Sequence, residues 1–255
     1  MAVAFATLQG VNAVLPAVRS VATEGEHAEV LVGLDLHGSQ PRALDALREA
    51  AADCPRLEVY VYVPRQARSG GIYHPKLYMA EHDDAGIAVV GSSNLTPGGL
   101  RSNVEVNLVA HLALDGEVWA ALQETYAALK LPNARELTAE IASAYAADWE
   151  GVGKATAPPR PSTRLLEALG AAKQAPARRR DLSGWQAQVW DALPDGTFTT
   201  ADAYAQEASF QAAHPENRHV RPKVRQILQQ LRDIGLLEHV GVGRWRKRGS
   251  MEDEA

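Results

Sequence analysis

The sequence predicts an α/β domain with a mixed sheet, followed by a small domain of three helices and a β-hairpin. Three observations predict it. Apolar runs of strand length alternate with helical patterns up to residue 148, a stretch rich in Ala, Pro and Arg divides the chain at 153–180, and three further helical patterns end in two short strands about a Gly-Val-Gly turn. The expected limits are a first domain at 1–152, a linker at 153–180, a second domain at 181–248 and an acidic tail at 249–255.

The elements follow in order. AEVLVGLDL (28–36) is a buried strand, QPRALDALREAAAD (40–53) an amphipathic helix and LEVYVYV (57–63) a second buried strand. Ile72, His74, Lys76 and Tyr78 then alternate with Tyr73, Pro75, Leu77 and Met79, so on an extended segment His74 and Lys76 share a face. IAVVGSSN gives a strand at 87–90 that ends in a small-residue turn at 91–94. In NVEVNLVA, Val104, Val106 and Leu108 alternate with Asn103, Glu105 and Asn107, a strand with one apolar and one polar face. Helices are expected at 115–130 and 134–148, and a short one inside the linker at 163–172.

Beyond the linker, DLSGWQAQVWDALP, TTADAYAQEASFQAAHP and NRHVRPKVRQILQQLRDIG read as three helices, the last ending at Gly235, and LLEHVGVGRWRK as a hairpin. Three helices and a hairpin make a winged helix. Its third helix puts Val220, Val224, Ile227, Leu228 and Leu231 toward the core. Arg218, His219, Arg221, Lys223 and Arg225 lie at its start or on its outer faces, and Arg244 and Arg246 on the hairpin. Such a cationic helix start suits major-groove and phosphate contact, so these residues are the candidate DNA-binding set and double-stranded DNA the candidate partner.

HPKLYMAEHDDAGIAVVGSSNLTPGGLRSNVEVNL (74–108) carries the chemistry. A neutral imidazole at His74 can attack phosphorus, and a carboxylate at Glu105 would orient the ring and stabilise the cation formed. Lys76 and Asn94 can bind nonbridging phosphate oxygens as charge develops, and a second acid must protonate the leaving oxygen. This residue set performs phosphodiester chemistry without a metal, and no cofactor is expected.

The segment resembles the HKD motif of the phospholipase D superfamily in the form HxK…GSxN…E, and more closely its nuclease branch. The resemblance implies a catalytic set of His74, Lys76, Asn94 and Glu105, with His74 forming a phosphohistidine, Lys76, Ser92 and Asn94 binding phosphate, and Glu105 supporting the histidine. The longer HxKxxxxD form is not kept: Glu81 stands five after Lys76, and Asp83 and Asp84 belong to a solvated hairpin turn. A second HxK followed by GSxN is absent from the sequence. The resemblance therefore implies a homodimer through the nuclease domain, with one His74 attacking and the other acting as general acid, one composite site, and strands cut in turn. His37 in GLDLHGS is expected at a strand-to-helix turn in a structural or substrate-edge role.

The segment from 181 to 248 is similar to the winged-helix module of DpnI-type restriction enzymes, which cut adenine-methylated DNA. That resemblance implies target reading and a possible methyl sensor, with Trp185 and Trp245 as aromatic candidates for a modified base; each is equally a candidate core or wing-base residue.

Composition fits this reading. Net charge is −5, with twelve Lys and Arg against eight Asp and Glu over 177–248, fourteen against twenty over 1–176, and three acids in MEDEA. The cationic excess thus falls in the second domain. A single cysteine, Cys54, excludes an intramolecular disulfide and a cysteine-based metal cluster. The first residues have no basic region before an apolar core, and no membrane-length apolar run occurs, so a cytoplasmic enzyme that does not engage membranes is expected. The expected function is a restriction-type endonuclease. The alternatives are a non-specific or repair nuclease, a phospholipase or other phosphodiester transferase, and a transcriptional regulator with an inactive nuclease-like domain.

Overall fold

A computed structural model describes residues 1–23, 27–65, 68, 70–82, 85–152 and 160–248. The acidic tail, the Asp83–Asp84 turn and 153–159 of the expected linker lie outside the described residues. The chain forms two compact units: Met1–Gly116 with Pro132–Ala175, and Glu117–Leu131 with the chain from Pro176 onward.

The first unit opens with β1 (Ala2–Val3) and α1 (Leu8–Thr23), then β2 (Ala28–Gly33), α2 (Pro41–Asp53) and β3 (Leu57–Tyr62). The apolar runs of β1, β2 and β3 pair in parallel, as strands covered on both faces do. Proline occupies the first position of α2, where its missing N–H costs nothing, and Ala43, Leu44, Leu47 and Ala50 bury one stripe. Strands β4 (Lys76–His82), β5 (Ala85–Gly91) and β6 (Asn107–Ala113) add antiparallel partners. With β7 (Ala134–Glu136) at the far edge, the seven-stranded sheet has the order β6-β5-β4-β1-β2-β3-β7, so its mixed character is as expected.

Two local departures matter. The expected helix at 134–148 is instead β7 (Ala134–Glu136), an edge partner of β3, followed by α4 (Ala139–Val152). The stretch read as a linker contains α5 (Thr163–Ala171), capped by Ser162, whose Oγ accepts from the N–H of Leu165 at 3.1 Å. Leu165 and Leu169, four apart on one face, are buried in the core of the first unit, and Ala175 N–H donates to Ala134 O along β7. Residues 160–175 are thus built into the first unit, because a capped helix with two leucines buries enough to order the chain despite its Ala/Pro/Arg composition.

The second unit takes α3 (Glu117–Lys130), which lies in sequence between β6 and β7, and adds α6 (Gly184–Ala192), β8 (Thr197–Thr199), α7 (Thr200–Tyr204), α8 (Glu207–Ala213), α9 (Val220–Asp233), β9 (Leu237–Gly241) and β10 (Arg244–Lys247). The expected second helix is two, α7 and α8, and β8 joins the hairpin to make a sheet of order β8-β10-β9. Val220, Val224, Ile227, Leu228 and Leu231 of α9 are buried with Val189, Trp190, Phe198 and Phe210. Gly235 ends α9 at φ +86°, a conformation that favours glycine. Lys130 of α3 is fully buried, with its ammonium 2.7 Å from Asp181 Oδ1.

Candidate active site

His74 sits in extended chain two residues before Lys76 opens β4, so the expected shared face is realised at the strand's entry. The Lys76 ammonium lies 2.6 Å from Nδ1 and 2.9 Å from Nε2 of His74, and 3.2 Å from the His74 carbonyl oxygen. Partial burial, and then the Lys76 charge, hold the His74 pKa below that of an ordinary histidine. Burial also lowers the Lys76 pKa, against the opposing pull of the Glu105 carboxylate. The Phe5 ring meets His74 edge-on, with centroids 5.5 Å apart.

The small-residue turn after β5 is locked in place. Ser93 is buried, its Oγ accepts from Asn107 Nδ2 at 2.8 Å, and its carbonyl accepts from the Tyr78 hydroxyl at 3.0 Å. Burial pushes the Tyr78 phenol up to about 12, so it stays a donor. Asn94 Oδ1 accepts from the N–H of Phe5 at 3.2 Å. Ser92, exposed, donates to Glu105 and accepts from the N–H of Val106 at 3.0 Å.

Glu105 departs from expectation twice. It lies before β6, not within a strand, because Val106 donates its N–H to the Ser92 hydroxyl. Its described hydrogen bonds go to Ser92 and to Asn103 Nδ2, the latter at 3.2 Å, and not to the imidazole it was expected to support. Beside it the surface is apolar: Val104 is fully exposed, and Val106, Leu108 and Val109 are more than half exposed at the sheet edge.

His37 is buried at the end of β2. Its ring stacks on Tyr145 at 5.3 Å, and among the described residues neither ring nitrogen has a hydrogen-bond partner. Among the described residues, His27, Glu29 and Glu58 could converge on a metal ion, but they stand at the far ends of β2 and β3 from His74.

In the second unit the candidate DNA-binding residues divide. Arg218, His219, Arg225 and Arg244 are exposed. Arg221 is held by Glu207 at 2.8 Å and Arg246 by Glu238 at 3.5 Å. Lys223 is half-buried and, with Glu124, Trp185, Gln186 and Gln230, lines a cleft of about 530 Å³. Trp185 stacks on His214 there, with centroids 4.1 Å apart. Trp245 belongs to the core: it is buried, and its Nε1 donates to Thr200 Oγ1 at 2.9 Å. The wing therefore commits Trp245 to packing, and Trp185 is the accessible indole of the pair.

The residues that the sequence did not single out are Phe5, Asp35, Ser93 and Asn107. Asn107 had a signal, a polar position in an apolar alternation; Phe5 and Asp35 had none beyond their strand-end positions. Two comparisons complete the description. Residues 3–129 match the family model described as the cardiolipin synthase, PLD-like domain, and residues 183–247 match the Dam-replacing HTH domain found at the DpnI C-terminus. No helix among the described residues is long and apolar enough to cross a membrane.

Proposed function

We propose that this chain, whose residues 3–129 match the PLD-like domain model and whose residues 183–247 match the Dam-replacing HTH model, is a restriction-type endonuclease acting on double-stranded DNA. The observation that carries the reading is the contact between His74 and the Lys76 side chain, whose charge helps hold the His74 pKa down, in a chain that also bears an exposed cationic recognition helix. One His74 attacks phosphorus: a P–N bond forms, the P–O bond to one nucleoside breaks, and the leaving oxygen takes a proton from the partner's His74. Water then attacks the phosphohistidine, a P–O bond forms, the P–N bond breaks, and the water's proton passes to the partner's His74. Lys76 and Asn94 stabilise the charge that builds on the nonbridging oxygens.

The donor set argues for a metal-independent route, because an ammonium in contact with the nucleophile repels a divalent cation from the same space. A homodimer through the nuclease domain is supported by the apolar edge formed by Val104, Val106 and Leu108, which flanks Glu105. The winged helix supplies target reading through Arg218, Arg225 and Arg244, with Trp185 as the aromatic candidate for a modified adenine. Digestion of one plasmid prepared with and without adenine methylation, in EDTA, tests this. Discrete cuts confined to methylated DNA support the full reading, discrete cuts regardless of methylation remove the methyl sensor, and cleavage only with magnesium overturns the phosphohistidine route.

A further inference from the structure

We propose that Asp35 is a positioning residue for the nucleophile, an inference that rests on the nuclease reading of His74. Asp35 stands at the end of β2 and is buried. Its Oδ1 accepts from the N–H of Arg65 at 2.6 Å, and its Oδ2 accepts from the N–H of Tyr73 at 2.8 Å and from Arg68 Nη2 at 3.1 Å. One carboxylate therefore fastens the start, the middle and the end of the connection that delivers His74.

The fastening extends on both sides. Arg68 Nε donates to Val63 O at 2.8 Å, and its guanidinium lies over the Tyr62 ring at 4.6 Å. Tyr62 stacks on Tyr73 at 4.1 Å. Beyond His74, the Pro75 carbonyl accepts from the N–H of Ala4 at 2.9 Å. His74 is thus bracketed, with Asp35 holding the residue before it and Ala4, just past β1, the residue after it.

The turn that carries Asp35 also shapes the other side of the imidazole. Leu36 and His37 have φ of 59° and 52°, two successive side-chain-bearing residues in the left-handed region. Gly38 follows, and a Cβ there would lie 2.1 Å from the Phe5 ring, the ring that meets His74 edge-on. A strained turn is kept where it delivers a carboxylate to Tyr73 and room for Phe5. A carboxylate suits the place because it is acceptor-only and can take all three N–H groups; an amide cannot.

The test uses full-length wild type, Asp35→Asn and Arg68→Gln, with cleavage kinetics and NMR titration of the His74 ring. In Asp35→Asn one acceptor becomes a donor facing a backbone N–H. The expected result is a kcat loss on the order of 100-fold with KM little changed, as misplacement of a reacting group costs. The His74 pKa should also return toward the ordinary value as the ring loses its place. Arg68→Gln keeps both backbone N–H bonds to the Asp35 carboxylate and should lose less in kcat, with the same unchanged KM. A folded Asp35→Asn protein with wild-type kcat and an unmoved His74 titration overturns the proposal. If Asp35→Asn does not fold, Arg68→Gln decides: a change in unfolding temperature with kcat and His74 unmoved overturns it. Should the wild type cleave no DNA, the nuclease reading falls, and the His74 titration alone decides whether Asp35 positions the ring.

Discussion

The backbone N–H of Phe5 donates to Oδ1 of Asn94 across 3.2 Å. A backbone N–H can only donate, so this bond fixes the amide with its oxygen toward Phe5 and leaves Nδ2 as the donor that the proposed mechanism assigns to phosphate. Asn94→Asp keeps the acceptor for Phe5 and replaces the donor by a negative oxygen. Cleavage should fall about 100- to 1000-fold, the cost of losing one donor to a developing oxyanion. Unfolding temperature should stay near wild type, and single-turnover kinetics beside a thermal melt checks both.

Lys76 acts on His74 through charge. The His74 pKa is lowered by burial first and by the Lys76 ammonium second. In the proposed mechanism the neutral ring is the nucleophile, so activity should be lost on acidification below the ordinary histidine range. Lys76→Gln removes one of the two causes and raises the His74 pKa. The acid limb of kcat/KM should then move to higher pH, while its height falls with the lost phosphate contact. A pH–rate profile of the two proteins gives the sign directly; a limb that stays put or moves lower refutes the assignment.

The apolar sheet edge makes a separate prediction. Leu108 on β6 is 68% exposed, near the still more open Val106. Leu108→Lys puts a charge where a second copy is proposed to dock. Sedimentation should show a monomer where the wild type is a dimer, and cleavage should be lost with the dimer while DNA binding by the second unit persists. A monomeric wild type that cuts DNA would remove the composite site.

Lys130 and Asp181 form a buried ion pair within the second unit, with side chains 0% and 4% exposed. Asp181 Oδ2 also accepts from the N–H of Arg178 at 2.8 Å. Lys130→Met strands a buried carboxylate and should destabilise the unit by about 3–5 kcal/mol. The double change Lys130→Met with Asp181→Leu removes both charges and should recover most of that loss. Chemical unfolding followed by tryptophan fluorescence distinguishes the two proteins.

How much of this was legible in the sequence depended on the range of the interactions involved. β2, α2 and β3 were readable because burial on both faces, or on one helical stripe, writes itself into adjacent residues. His74, Lys76, Ser92, Asn94 and Glu105 were readable because their order along the chain is itself the signal. β7 and β8 were not, since three residues carry no periodicity and these strands exist only through pairing with β3 and β10. The partners of Glu105 were hidden because Ser92, exposed in a turn, takes both its carboxylate and the N–H of Val106. The role of Asp35 was invisible for the same reason: its three partners lie thirty to thirty-eight residues away.

The path of α3 bears on how such a protein can be taken apart or recombined. The chain leaves the first unit after Gly116, returns at Pro132 and leaves again after Ala175. The span that matches the Dam-replacing domain, 183–247, contains neither member of the Lys130–Asp181 pair. Cutting at that boundary and grafting the module onto another enzyme would leave behind α3 and the buried ion pair that α3 contributes to the unit. The recognition unit is inherited in two pieces of sequence, and only a transplant carrying 117–131 as well delivers it whole.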